Sequence, residues 1–371
     1  MIQLYPFHFG PIYKEKVWGG MGLSRQFGRQ LPSDNVGESW EIAAHAHGTS
    51  VVANGPLAGK NLQELMGLYG RDLMGTALPQ SSLEQFPLLL KIIDAHDYLS
   101  VQVHPDDEYA ADHEVGEPGK WEAWYVIAAE PGAEIIYGLD PRTTREDLRQ
   151  AIDQGSIQQF LRRVPVQAGD IFDVPAGVVH ALGKGVMVAE IQQNSDTVYR
   201  LYDWDRLGDD GNPRPLHIKQ ALDVIQFSGQ RTETVAGLTM ETVQGVRDIR
   251  VANRYFALEM LVIDGTMVEA TRGERFHLLT CLEGSFMLAS EFTSTNHTPI
   301  HLAPGVSILV PACVDTYSLL GRGKVMKCYV PDIRSNIVEP LVAYGYTQGE
   351  ITQRIAGLGD YRTSHPSLAG R

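Results

Sequence analysis

The chain has 371 residues, 43% of them apolar and 20% charged, which excludes a disordered or fibrous protein and gives enough length for two core-bearing halves. Its formal net charge of -14 and pI near 5.3 exclude nucleic acid and acidic membranes as general partners, so a bound anion must meet a local basic pocket. The three cysteines, Cys281, Cys313 and Cys328, have no CxxC spacing and indicate neither a disulfide framework nor a zinc ribbon.

The N-terminal stretch MIQLYPFHFGPIYKEK lacks a basic start followed by a long apolar run, and apolar runs such as 87–93 are too short to span a bilayer. A cytoplasmic location is the expectation. From there the chain reads as short β-branched and aromatic runs between Gly, Pro or Asp turns: 39–44, 88–93, 122–128, 171–174 and 186–192 are predicted strands. Two segments carry helical spacing instead. In 61–75, Leu62, Leu65, Met66, Tyr69 and Leu73 recur at three and four. In 144–163, Thr144 can cap, Asp147 stands three residues later, and Leu148 and Ile152 stack one turn apart.

A weak internal repeat suggests the architecture. The run Gly169-Asp170-Ile171-Phe172-Asp173-Val174-Pro175-Ala176 aligns with Gly305-Val306-Ser307-Ile308-Leu309-Val310-Pro311-Ala312, and each copy follows an aromatic-apolar strand, 124–132 and 276–284. The expected fold class is mainly β, with two related β-barrel halves and inserted helices. Residues 1–230 would form the first barrel, with helical insertions at about 60–85 and 142–163, and residues 231–371 the second. Continuing the alignment puts Thr316 at the position of His180, so a metal site belongs to the first half.

Within that half, 99–106 alternates, which points Gln102 and His104 to one face. Glu122 opens an aromatic strand eighteen residues later, and His180 follows the Pro175-Ala176-Gly177 turn. A barrel can converge all four on one interior point, where two neutral imidazoles, a carboxylate and an amide oxygen suit zinc. A lone histidine is more often packing than ligand, and His45, His47, His96, His113, His217 and His301 have no comparable context. Lys120, Glu190 and Arg200 are charges in strand-like surroundings, so each is either paired at a strand end or turned to a ligand. Lys91 is either a snorkelling strand-end cation or a pocket charge.

The motifs Trp18-Gly19-Gly20, Gly37-Glu38-Ser39-Trp40-Glu41, Gln102-Val103-His104-Pro105-Asp106, Gly119-Lys120-x-Glu122, Pro175-Ala176-Gly177-x-x-His180-Ala181 and Gln193-Asn194-Ser195-Asp196-Thr197-x-Tyr199-Arg200 extend this reading. In order and spacing they closely resemble the bacterial class I mannose-6-phosphate isomerases, a branch of the cupin superfamily, over nearly the whole chain. The resemblance implies that the two β-barrel halves are cupin-like (jelly-roll) barrels and that each chain carries one zinc ion, ligated by His104, Glu122 and His180 with Gln102 as a fourth. It places Arg200 at the active-site arginine and matches Lys91, Lys120 and Glu190 to polar pocket positions. The implied partner is a small sugar phosphate; monomer and homodimer both stay open. One departure is Trp121, where the family more often has a small residue or proline, and it bears on the shape of the pocket wall.

Aldose-ketose interconversion moves a proton between C1 and C2 through an enediol. Glu190 and Lys120 are both candidates for the base, and Arg200, with Lys91 or Lys120, supplies a positive field for an anionic sugar. Two other readings fit the same residues. A triad of two histidines and a carboxylate also holds iron in oxygenases, and a sugar-binding regulatory or storage barrel could keep a structural metal.

Overall fold

The computed structural model describes residues 2–208, 210–228, 234–290 and 300–359. Strands take 41% of the chain and helices 21%, so the protein is mainly β. The described residues group into two compact units: one draws on Met1–Ile12, Trp40–Leu90 and Val235–Arg371, the other on Tyr13–Ser39 and Lys91–Thr234.

The second of these units holds the candidate metal ligands and pocket residues. A five-stranded sheet runs in the order Leu161–Pro165, Glu134–Leu139, His180–Leu182, Val101–Val103, Tyr199–Tyr202. A six-stranded sheet runs Ile171–Val174, Glu122–Ala129, Val186–Gln193, Leu88–Ala95, Val36–Ile42, Ile12–Gly20. Strands rich in Val, Ile and aromatic residues bury Trp124, Val126, Ile135, Tyr137, Phe172 and Val188 in one cluster, and burial of this apolar surface is what fixes the register.

In the other unit a nine-stranded sheet contains three long strands, Ala257–Ala270, His277–Ser290 and Thr316–Tyr329, with the last between the other two. Leu261, Leu279, Phe286, Ile308, Leu319 and Val325 are buried together in its core.

The helical expectations are met in part. Thr144 does cap: its Oγ1 accepts the Asp147 N–H at 3.1 Å, and the Asp147 carboxylate accepts the Thr144 N–H at 3.0 Å. The helix, however, covers Arg145–Asp153 only, followed by a short 3₁₀ turn and the strand Leu161–Pro165. That strand pairs antiparallel with Glu134–Leu139, Val164 opposite Ile135 and Leu161 opposite Leu139, so long-range sheet pairing overrides the local spacing. The other segment forms two helices, Leu62–Tyr69 and Arg71–Met74, parted at Gly70, with a capping box between Asn61 and Glu64 at its start. A further short helix, Ser81–Glu84, follows within the inserted region.

Candidate metal centre and anionic cavity

Strand pairing lines up three polar side chains. Gln102 lies opposite His180 on one side and opposite Arg200 on the other, so these residues form a row across neighbouring strands of the five-stranded sheet. Glu122 comes from the six-stranded sheet, where it lies opposite Val174 and Gln192. His104 follows directly on Val101–Val103, and its carbonyl accepts the Gly177 N–H at 3.0 Å, which ties the turn before His180 to His104 itself. Gly177 has φ +84°, and a Cβ there would sit 2.8 Å from the Val224 carbonyl oxygen. Gly119 is required for another reason: a Cβ on it would lie 2.4 Å from the backbone of Asp106 and Asp107. That close approach lets the Lys120 N–H donate to the Pro105 carbonyl and sets Lys120 and Glu122 beside His104.

The result is a compact cluster. His104 Nε2 is 3.3 Å from one Glu122 carboxylate oxygen, and His180 Nε2 is 3.2 Å from the other. Lys120 Nζ stands 3.0 Å from Glu122, and the Gln102 amide stands 3.2 Å from His180 Nε2. Among the described residues, His104, Glu122 and His180 are the group of side chains whose donor atoms could hold one metal ion, lying within 4.8 Å of one another. All three are at most 1% exposed. Even so, both His104 nitrogens and both Glu122 carboxylate oxygens are buried without a hydrogen bond. Buried polar atoms rarely stay unsatisfied, so contacts this close without hydrogen-bond alignment mark lone pairs aimed at a common point. His180 Nδ1 faces the Val178 carbonyl at 2.9 Å; a proton there leaves Nε2 as the lone-pair nitrogen. The donor set fits a metal such as zinc.

The electrostatics agree. Burial, helped by the Lys120 charge, pushes the His104 imidazole down to about 3, and burial lowers His180 as well, so both rings are neutral as ligation requires. Burial alone would raise Glu122, but Lys120 foremost outweighs it and holds the carboxyl well below its usual range. Burial would lower Lys120, but Glu122 and Glu190 prevail and raise it, away from the value a base at neutral pH needs.

Beside the cluster opens a cavity of about 220 Å³. Lys91, Gln102, Lys120, Glu190 and Arg200 all line it. Lys91 is not a strand-end cation: it sits inside Leu88–Ala95, with Nζ 3.8 Å from Glu38, 3.8 Å from Glu190 and 3.9 Å from Asp196. Glu190 accepts the Trp124 indole N–H at 2.7 Å, and burial, with the Glu122 charge adding, lifts its carboxyl to about 7 against the pull of Lys120 and Lys91. Arg200 donates through Nε to Ser100 Oγ at 3.0 Å and through Nη1 to the Pro215 carbonyl at 2.7 Å; its Nη2 makes no hydrogen bond among the described residues. Its backbone N–H donates to His217 Nδ1 at 3.1 Å, so His217 serves to position the strand.

The wall holds residues that sequence reasoning left aside. Trp18, Glu38 and Asp196 appeared only as motif members, and Lys16, Ser100 and Arg214 were given no role, yet each lines the cavity. Arg214 Nε donates to Asp203 at 2.7 Å and Nη2 to Ser100 Oγ at 3.0 Å. The signal for Arg214 was its place between Pro213 and Pro215, which fixes an extended backbone. Trp121 is absent from this wall. Its indole N–H donates to Asp173 at 2.7 Å, so the departure noted at that position leaves the cavity shape to others.

Family models match both parts of the chain: the phosphomannose isomerase type I catalytic domain over residues 7–123, and the mannose-6-phosphate isomerase cupin domain over residues 249–330. A mannose-6-phosphate isomerase of Streptococcus mutans is 47% identical over 253 residues, 68% of this chain and 77% of that protein. A putative mannose-6-phosphate isomerase of Bacillus subtilis is 39% identical over 323 residues, 85% of this chain and 96% of that protein. The crystal structure of a Bacillus subtilis mannose 6-phosphate isomerase superposes with a TM-score of 0.80 at 36% identity, over 87% of this chain and 99% of that one.

Proposed function

The chain belongs to the type I mannose-6-phosphate isomerase family and is an aldose-ketose isomerase, and from that premise we propose that it interconverts mannose 6-phosphate and fructose 6-phosphate with one zinc ion per chain and an enediol intermediate. The observation that carries the metal assignment is the set of buried, unbonded nitrogen and carboxylate oxygen atoms of His104 and Glu122, facing His180 Nε2. His104, Glu122 and His180 are the ligands in this reading. Gln102 is the fourth, since a half-turn of its amide presents Oε1 to the same point. When bound, zinc supplies Lewis acidity beside the sugar oxygens.

The chain's own residues handle the proton and the anion. Glu190 is the base: its Oε1 is buried without a hydrogen bond and burial lifts its carboxyl to about 7, whereas Lys120 is shifted the wrong way for that task. From the aldose, Glu190 takes the C2 proton and returns it to C1, while the O2 hydroxyl proton ends on O1. Trp124 fixes the other Glu190 oxygen, so the carboxylate stays aimed along C1 and C2. Lys120 remains an ammonium beside Glu122 and offsets negative charge developing on the enediolate oxygens. Arg200 presents its unbonded Nη2 to the anionic end of the sugar, with Arg214 beside it on the shared Ser100 hydroxyl and Lys91 adding positive field.

In this reading the chain is two related cupin-like halves, and residues 1–230 carry the chemistry. A cytoplasmic setting fits the three free cysteines, two of them buried. Metal analysis with anaerobic turnover tests the function: one zinc per chain and oxygen-independent formation of fructose 6-phosphate are expected. Iron as the native metal, with turnover that needs oxygen, would sink the isomerase mechanism.

A further inference from the structure

The repeat carries more than architecture. Glu122 lies opposite Val174, the residue before Pro175-Ala176; His277 lies opposite Val310, the residue before Pro311-Ala312. His277 therefore holds the position in the second copy that Glu122 holds in the first. Two residues further along each strand, Trp124 lies opposite Glu190 and Leu279 opposite Lys327. Lys327 thus stands where the first copy has Glu190, with the charge reversed.

Around Lys327 the charges close into a network. Its ammonium is 2.9 Å from Glu259 and 2.8 Å from Glu269, Arg247 bridges the same two carboxylates, and the Tyr329 hydroxyl donates to Glu259. Replacing such buried ion pairs by apolar side chains is often neutral or stabilising, so their presence around open space calls for a ligand. The open space is there: these side chains line a cavity of about 360 Å³, within the usual range for small-molecule sites. His277 also lines it and is only 4% exposed. Its Nδ1 is 3.0 Å from the Tyr317 hydroxyl, and its Nε2 makes no hydrogen bond among the described residues.

The cavity also takes in the turn Thr271–Glu274. The Glu274 N–H donates to the Thr271 carbonyl at 2.9 Å, and both central residues, Arg272 and Gly273, have positive φ, 55° and 67°. A turn of this kind favours Asn, Asp or Gly at both positions, so an arginine at the first is held in a strained conformation. The Arg272 side chain makes no ion pair or hydrogen bond among the described residues, whereas the nearby Arg275 is committed to the Val330 carbonyl and Glu274.

We infer that this cavity is a second small-molecule site, separate from the metal centre, for an anionic polyol such as a sugar phosphate or sugar acid. Carboxylates, ammonium, phenol and imidazole together supply the mixed donors and acceptors that hydroxyl groups need, and Arg272 takes the acid group. The assignment does not depend on which reaction the metal centre performs.

The test is calorimetric titration of the zinc-loaded full chain with glucose 6-phosphate, comparing wild type with Arg272→Gly and Arg272→Lys. Glycine relieves the left-handed strain at that position, so Arg272→Gly is expected to fold at least as well as wild type. It should lose one binding event per chain, or bind there about tenfold or more weakly, while Arg272→Lys retains the event and turnover is unchanged in both. Coincident isotherms for wild type and Arg272→Gly, whatever number of events they contain, overturn the inference.

Discussion

Glu190 and Trp124 are joined through one carboxylate oxygen only: the indole N–H donates to Oε2 at 2.7 Å, and Oε1 stays buried without a hydrogen bond. In the proposed mechanism a carboxylate anchored through one oxygen, with its other oxygen left without a hydrogen bond 3.8 Å from Lys91, is positioned for transfer between two adjacent carbons. Glu190→Gln keeps the shape and the indole contact but cannot accept a proton, so turnover should fall by about 10²–10⁴-fold with metal content unchanged. In the proposed role Glu190 works as the carboxylate, and burial lifts its carboxyl to about 7, so kcat/KM should fall as pH drops through that region. A bound cation neutralises the Glu122 charge that helps lift it, which moves the limb downward from 7. A Glu190→Gln enzyme with wild-type turnover would remove Glu190 from the mechanism.

Arg200 spends Nε and Nη1 on Ser100 and Pro215, which leaves the guanidinium fixed with Nη2 open to the cavity. Arg200→Ala should keep its zinc and lose turnover by about 10²–10³-fold, the usual effect of deleting a preorganised donor to developing charge. Arg200→Lys should recover little, because the planar fork is what reaches two anchors and a ligand together. Metal analysis beside kcat checks both, and an unaltered rate in Arg200→Ala would mean the arginine is misplaced.

Much of this was legible in the sequence because it is local. Alternation pointed Gln102 and His104 the same way, and both side chains do lie beside His180; the Pro175-Ala176-Gly177 turn marked the start of the strand with His180, and the capping pair Thr144 and Asp147 marked a helix start. What depends on long-range pairing was not. Residues 161–163 were read with the helical segment yet belong to a strand that pairs with Glu134–Leu139, and Lys16, Ser100 and Arg214 meet at the cavity only once the chain has folded. The proposal of Glu190 over Lys120 also rests on three dimensions: the direction of each shift depends on which charges lie beside it after folding.

Gly177→Ala tests how the turn holds the ligands. The new Cβ would lie 2.8 Å from the Val224 carbonyl oxygen at φ +84°, so a loss of about 1–3 kcal/mol is expected in chemical denaturation. Because the Gly177 N–H binds the His104 carbonyl, zinc should also be released at lower chelator concentration than from wild type. Unchanged stability and zinc retention would show the turn to be more tolerant than its geometry implies.

In the other unit, Lys327→Met would leave Glu259 and Glu269 facing each other with Arg247 as their remaining guanidinium partner. Losing one member of a buried charge network costs about 3–5 kcal/mol, and Lys327→Arg should cost less. Urea denaturation of the full chain measures this. A change below about 1 kcal/mol would show that the network contributes little to stability.

In the proposed mechanism His104, Glu122 and His180 hold a zinc ion required for isomerisation. The most direct measurement follows fructose 6-phosphate formation from mannose 6-phosphate while zinc is withdrawn by chelator and quantified in the same samples. Turnover is expected to fall in proportion to zinc, to return with one equivalent of zinc per chain, and to be absent along with zinc in His104→Ala and His180→Ala. Full turnover in protein shown to be free of metal would contradict the account.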